Sequence, residues 1–190
     1  RSENVDSESK NRFVVPGKTQ HEVLKLLTDD EENTEIIIGQ RHITFKIKNY
    51  RIISRLIEGT FMEYKSAIPK ETKTEVVINT RTIIDAVERM SLLNNDRIQS
   101  PVRCIFSDDE IKLSCTSAVG RANDVISVPI IGESVEIGFN NRYLLDALKN
   151  ADTDEIKLIL NGSLTAMIVK PVKGDSYLSI VVPMRLANEN

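Results

Sequence analysis

One pattern recurs three times along these 190 residues and limits what they can fold into. Asn140 precedes an amphipathic stretch with Leu144, Leu145 and Leu148 on one side. Asn79 is followed in the same way by Ile83, Ile84 and Val87, and Thr19 by Val23, Leu24 and Leu27. Each set lies four, five and eight positions after a side chain able to accept a hydrogen bond from a helix-start N–H. That is the spacing of one helical face behind an N-cap. The caps are 60 and 61 residues apart, Thr19 to Asn79 and Asn79 to Asn140. A period of that length, with strand-like sequence around each helix, means one supersecondary unit used three times.

Each copy reads β-α-β-β-β. In the first, residues 13–16 form a short strand, Thr19 caps the helix and Glu22 completes a capping box. The helix fades at Thr28 before an acidic loop, residues 29–33, and strands follow at 35–39, 42–48 and 50–57. Along residues 42–48 Ile43, Phe45 and Ile47 alternate with His42, Thr44, Lys46 and Lys48, the pattern of an antiparallel sheet packed on one face. In the second copy a strand at 75–78 leads into a helix from Asn79 to about Leu93 and a polar loop, 94–100. Strands at 102–106, 111–116 and 122–129 follow, the first two joined by a turn at 108–110. The third copy has its strand from Val135 and its helix after Asn140, then strands at 155–160, 164–169 and 177–182. Asn161-Gly162 reads as a two-residue hairpin turn.

Residues 59–70 have no clean period and read as a connector. The expected fold is therefore α+β, with helices on one face of antiparallel sheets. Residues 1–69 form a half domain of one unit, and residues 70–190 a complete domain of two. A lone half sheet leaves an edge and an apolar face unpaired. That odd half, together with Arg1 as first residue, suggests a piece of a longer chain.

The residues offer little for catalysis. There is no Gly-rich phosphate loop, no GxSxG, no HExxH and no CxxC. His21 falls on a helix start and His42 on a strand face. The carboxylate clusters at 29–32, 108–110 and 152–155 sit at element ends without the ligand spacing of a cation loop. No catalytic residue, metal or cofactor is predicted. Cys104 and Cys115 lie in strand-like runs and read as buried thiols, with no disulfide demanded. No apolar run approaches the ~20 residues of a membrane span and no signal peptide is visible, so a cytoplasmic location is the default.

Two features remain. Lys18 and Lys25, Arg81 and Arg89, and Arg142 and Lys149 accompany the three helices and avoid the core positions. The net charge of −3 gives no overall basic excess, and Glu22, Asp85, Glu88 and Asp146 are interleaved. These are either ordinary solvated faces or a helix layer presented to DNA phosphate without reading bases. The other feature is the run from Ser179 to Leu186, with Met184 and Leu186 beyond Pro183. It is either a core edge strand with a greasy end or an adaptable peptide groove. Tyr143, off the core stripe, is a capping aromatic or a pocket wall.

Several of these stretches carry a resemblance. Val14-Val15-Pro16-Gly17-Lys18, the connector Ser54-Arg55-Leu56-Ile57-Glu58-Gly59-Thr60-Phe61, Glu136-Ile137-Gly138-Phe139-Asn140 with Tyr143, and the ending Val182-Pro183-Met184-Arg185-Leu186 stand in the order and spacing of one family. From Phe13 to Leu186 the chain resembles the C-terminal part of the bacterial sliding clamp, the beta subunit of DNA polymerase III. The resemblance implies the second half of a middle domain followed by a complete last domain. It implies a non-catalytic ring that is a homodimer when full length, with no membrane association. In that ring Lys18, Lys25, Arg81, Arg89, Arg142 and Lys149 would face double-stranded DNA.

It further implies a pocket for short motifs of DNA polymerase III alpha, of clamp-loader subunits and of repair proteins, set between the middle and last domains. Carried over by motif, the pocket comprises Met62, Ser66, Ile98, Asn140, Tyr143, Leu164, Ala166, Ile180, Val181, Val182, Pro183, Met184, Arg185 and Leu186. Met62 and Ser66 depart from the family pattern, where many members have Pro and a basic residue. Leu92 and Leu93 match the apolar part of the ring-closing interface. A different class of protein also fits the repeats: a peptide-binding adaptor without DNA tethering.

Overall fold

The computed structural model describes residues 12–28, 33–61, 63–93 and 100–186. Between Glu63 and Tyr64, inside the connector read from the sequence, the chain divides into two compact units, each with its own core.

The N-terminal unit holds helix α1 (Gly17–Leu26) and strands β1 (Glu35–Ile38), β2 (His42–Ile47) and β3 (Tyr50–Arg55). The strands form one antiparallel sheet in the order β1-β2-β3. The alternation along β2 decides which face is packed: Ile43, Phe45 and Ile47 are buried with Val23 of α1. The strand expected at 13–16 is reduced to a single antiparallel bridge between Val14 and Ile57.

The start of α1 differs from the expectation. Pro16, not Thr19, occupies the N-cap position, with φ −57° and no side-chain cap. Thr19 lies inside the helix, its hydroxyl 2.7 Å from that of Ser54. Glu22 makes no capping box; it accepts a hydrogen bond from Lys25 at 2.8 Å. The true helix starts are thus 63 and 61 residues apart, Pro16 to Asn79 and Asn79 to Asn140. The apolar side is phased differently too. Val23 and Leu26 pack on the core, whereas Leu24 and Leu27 are exposed. A single three-stranded sheet covers only one side of the helix.

The C-terminal unit opens with a 3-10 turn, Tyr64–Ala67, and then runs through two complete repeats. The first holds β4 (Thr74–Asn79), α2 (Thr80–Ser91), β5 (Val102–Ser107), β6 (Glu110–Ser117), β7 (Gly120–Ser127) and β8 (Ile130–Gly132). The second holds β9 (Val135–Phe139), α3 (Asn141–Lys149), β10 (Glu155–Leu160), β11 (Met167–Pro171), β12 (Ser179–Val181) and β13 (Pro183–Met184). They build two five-stranded antiparallel sheets, β12-β11-β10-β4-β8 and β13-β9-β5-β6-β7.

The repeats are interlocked. Each gives its three-stranded meander to one sheet and its first strand to the other, so β4 pairs with β10 and β9 with β5. After the meander each chain crosses over and lays a short strand beside its own first strand, β8 on β4 and β13 on β9. Neither repeat completes its sheet without the other. Between the sheets and the paired helices sits one continuous core that includes Val87, Phe139, Leu148 and Leu160.

Local turn chemistry explains two hairpins. Asp108 and Asp109 both adopt positive φ, 53° and 56°, which makes the two-residue link between β5 and β6 a type I′ turn. At Asn161-Gly162 only the glycine is left-handed, at φ 89°. The predicted tight turn is therefore absent. Residues 161–166 form a longer connection, and β11 begins at Met167 rather than Leu164. The strand expected at 177–182 is also shorter, and its end changes sheets, since β12 pairs with β11 but β13 with β9.

Cys104 and Cys115 are buried thiols on β5 and β6, and the register sets them opposite Leu113 and Ala122 respectively, with no disulfide. Burial pushes the Cys104 thiol up to about 12. Among the described residues no helix is long and apolar enough to cross a membrane, and no three His, Cys, Asp or Glu side chains cluster as a metal site.

Candidate functional site

The end of the chain lies against the start of α3 because of sheet register. β13 places Pro183 opposite Phe139 and Met184 opposite Gly138. Phe139 is followed by Asn140, whose side-chain oxygen accepts hydrogen bonds from Arg142 N (3.0 Å) and Tyr143 N (3.3 Å). Asn140 thus caps α3 and fixes the direction in which Tyr143 leaves the first turn. On the other side, β12 pairs with β11 so that Val181 stands opposite Met167. The connection that carries Leu164 and Ala166 into β11 consequently arrives beside Val182. Helix α3 and β12 also pack on one another.

Three large apolar side chains on these converging segments are exposed: Tyr143 (65%), Leu164 (83%) and Val182 (70%). Val182 is turned outward because it is the residue at which the chain leaves one sheet for the other. Around them Ala166, Ile180, Pro183, Met184 and Leu186 are half-buried, and Arg185 is exposed. Val181 does not belong to this surface, because its side chain is in the core. Leu186 folds back onto Gly138. A Cβ at that glycine would stand 2.6 Å from Leu186 Cδ2 and 3.0 Å from the Met184 carbonyl oxygen. Exposed aromatic and aliphatic groups at the meeting of three segments make a surface suited to apolar peptide side chains. Ser66 lies on the exposed 3-10 turn, and Met62 and Ile98 fall outside the described residues.

All six basic residues singled out on the helices are exposed, but their neighbours separate them. Lys25 pairs with Glu22 at 2.8 Å, Arg81 with Asp85 at 2.9 Å, and Arg89 with Asp124 on β7 at 2.8 Å. Lys149 reaches across from α3 to Glu88 on α2 at 2.6 Å. That hydrogen bond, and after it the Lys149 charge, lowers the Glu88 pKa. Lys18 and Arg142 make no ion pair among the described residues.

The three helix starts share a regularity. Lys18, Arg81 and Arg142 each stand two positions after the cap, at Pro16, Asn79 and Asn140. No acidic residue occupies the first turn of any of the three helices. A cation there opposes the helix dipole by about 0.3–1 kcal/mol, so helix stability does not account for its appearing in all three. Leu92 and Leu93, at the end of α2, also part company: Leu92 is 81% exposed, while Leu93 packs on the core beside Gly120.

A pseudo-symmetric pair of β-α-β-β-β repeats with exchanged first strands, and helices laid side by side, defines a protein of the DNA-clamp class. The family model for the C-terminal domain of the DNA polymerase III beta subunit matches residues 65–185, and the model for the central domain of the same protein matches residues 1–63. The chain belongs to the DNA polymerase III beta subunit family. It is 32% identical over 181 residues to the beta sliding clamp of Staphylococcus aureus, covering 94% of this chain and 48% of that protein. The crystal structure of the DNA polymerase sliding clamp from Bacillus subtilis superposes with a TM-score of 0.86 at 29% identity, over 97% of this chain and 49% of that one. A Pseudomonas aeruginosa sliding clamp bound to griselimycin gives a TM-score of 0.83 at 28% identity, over 98% and 50%. The chain spans about half the length of the relatives it matches.

Proposed function

We propose that this chain is part of a polymerase processivity clamp, a non-catalytic protein that tethers its partners to duplex DNA. The observation that carries the DNA half of this reading is the cation two positions into each helix, at Lys18, Arg81 and Arg142. Phosphate neutralisation by such groups needs no base contact, which is what a sliding element requires. Arg142 and Lys18, unpaired among the described residues, are the strongest of the six candidates. Lys25, Arg81, Arg89 and Lys149 share their charge with a carboxylate and contribute less. Ring closure in the full-length protein would use the exposed Leu92.

The peptide half rests on the exposed group formed by Tyr143, Leu164 and Val182, with Met184 and Leu186 beside it. Linear motifs of polymerase and clamp-loader subunits would dock their apolar side chains there. The test is fluorescence anisotropy with a labelled Gln-Leu-x-Leu-Phe peptide. Saturable binding that weakens at least tenfold in the Tyr143→Ala, Met184→Ala double variant supports the pocket. Binding that the double variant leaves unchanged rejects it.

A peptide-binding adaptor without DNA tethering is favoured by one observation: four of the six helix cations are neutralised by carboxylates. Loading of the full-length protein onto circular but not linearised DNA separates the two, since an adaptor would show no such difference.

A further inference from the structure

Of the chain's eight glycines only Gly162 follows an asparagine. Asn161 stands directly after Leu160, the last residue of β10, and the pair opens the connection that carries Leu164 and Ala166 into β11. The other asparagines of the C-terminal repeats with assigned roles are occupied: Asn79 and Asn140 cap their helices, and Asn79 also donates to the Asp154 carbonyl at 3.1 Å. Among the described residues neither the Asn161 side chain nor the Gly162 N–H makes a hydrogen bond. Gly162 sits at φ 89°, and a Cβ built on it meets nothing within 4 Å. With no side chain of its own and open space beside it, this glycine lets its backbone nitrogen be approached closely. A tight hairpin turn would have held the two residues in one conformation; the longer connection does not.

We propose that Asn161 is a self-modification site, at which the folded chain converts asparagine to aspartate and isoaspartate, and that isoaspartate there resets the segment carrying Leu164. The Gly162 nitrogen sheds its proton and attacks Asn161 Cγ. A C–N bond forms, the Cγ–Nδ2 bond breaks, and the side-chain nitrogen leaves as ammonia with that proton, closing a succinimide ring. Water then opens the ring. Attack at Cγ leaves aspartate, and attack at the backbone carbonyl carbon leaves isoaspartate, whose main chain runs through Cγ. Both products exchange a neutral amide for a carboxylate, and isoaspartate also adds a methylene to the backbone. The strands on either side cannot take up that length. Leu158 faces Val169 and Ile159 faces Ile168, and all four are buried. The added length falls on residues 161–166, where Leu164 is the most exposed apolar side chain. The consequence for peptide docking rests on the reading proposed above; the chemistry at Asn161 does not.

The test is to age the whole folded chain in buffer and map it by mass spectrometry, with enzymatic methylation to count isoaspartate. Asn161 should convert at least tenfold faster than Asn123, Asn140 or Asn150, and faster as pH rises, because the attacking nitrogen must lose its proton. Asn161→Gln should abolish the isoaspartate signal, since the longer side chain would have to close a larger and slower ring. In the aged chain the Leu164 methyl signals, assigned by their loss in Leu164→Ala, should move while those of Ile159 stay in place. Conversion of Asn161 in the urea-unfolded chain but not in the folded one would overturn the proposal. So would modification spread evenly over the four asparagines, or an aged chain whose Leu164 signals do not move. Anisotropy with the labelled peptide reads the consequence separately. Weaker binding by the aged chain supports it, and equal binding by fresh and aged chains rejects it. A fresh chain that does not bind rejects the pocket, with the Asn161 chemistry still decided by the mass map.

Discussion

Leu186 lies directly on Gly138, its Cδ2 only 2.6 Å from where a Cβ at that position would stand. The contact ties the end of the chain to β9, one residue before Phe139 and two before the cap of α3. It therefore links the packing of β13 to the placement of Tyr143. A Gly138→Ala substitution puts a methyl 2.6 Å from Leu186 Cδ2 and 3.0 Å from the backbone oxygen of Met184. Overpacking of this kind costs about 1–3 kcal/mol. Denaturant melts should show that loss, together with weaker peptide binding. Leu186→Ala added to Gly138→Ala should recover part of the stability, because the carbonyl clash alone then remains. Additive losses would show that the two residues do not share this contact.

Asn79 and Asn140 should prove equivalent as caps. Asn79 accepts from Thr82 N at 3.0 Å, and Asn140 from Arg142 N and Tyr143 N. Replacing either with Ala should lower stability by about 1 kcal/mol. Asp should keep the cap at Asn140, whereas at Asn79 it also loses the amide N–H that donates to the Asp154 carbonyl at 3.1 Å and should cost stability. For Asn140 the pair also separates two roles. If its amide contacts a docked peptide, Asn140→Asp will keep stability and lose affinity. If it acts only as a cap, affinity will follow stability.

Those two caps were legible because capping is local chemistry: a polar side chain, then an apolar stripe at helical spacing. The packed face of β2 was legible for the same reason. Pro16 was not, since it has no side-chain acceptor, and the neighbouring Thr19 offered a better-looking cap whose hydroxyl in fact goes to Ser54. Phased from Thr19, Leu24 falls on the core side and Lys18 falls before the cap, where it matches neither Arg81 nor Arg142. Asn161-Gly162 reads as a tight turn with Leu164 in the strand beyond it, but such a turn needs left-handed backbone at both residues, and only Gly162 adopts it. The exchange of first strands was invisible for a deeper reason. It pairs residues as far apart as Thr74 and Leu160, and nothing in either segment alone states its partner. Val181 and Val182 make the same point at the site. Adjacent valines are alike in sequence, yet one is core and the other 70% exposed because the chain changes sheets between β12 and β13.

The Glu88–Lys149 pair predicts an acid-sensitive contact between α2 and α3. The hydrogen bond from Lys149, then its charge, holds the Glu88 pKa below its ordinary 4.5. A carboxylate depressed in the folded state adds stability above its unfolded pKa, and that contribution disappears as pH falls through the folded one. The stability difference between the native chain and Glu88→Gln should therefore be level at neutral pH and vanish in acid below the ordinary carboxylate range. The pair is open to solvent, so added salt should shrink the difference at every pH. Carbon-detected NMR titration of Glu88 in a Lys149→Met variant should show its pKa moving up. An unmoved titration would mean that the pair does not persist in solution.

Arg142 sets stability against function in opposite directions, and this makes it the most informative residue to change. It sits two positions into α3 with no carboxylate partner among the described residues, where the helix N-terminus repels positive charge. Arg142→Gln should stabilise the fold by about 0.3–1 kcal/mol, and Arg142→Glu by somewhat more. Both should weaken binding to duplex DNA. For the neutral variant, the slope of log affinity against log salt should fall by about one charge. Arg81, held by Asp85 at 2.9 Å, should show a smaller change in slope on the same substitution. A more stable variant that binds DNA less well would mean that the cation is kept for phosphate at a cost to the helix. A variant that gains stability with its DNA affinity and salt slope intact would remove Arg142 from the DNA face and return the six helix cations to ordinary surface charge.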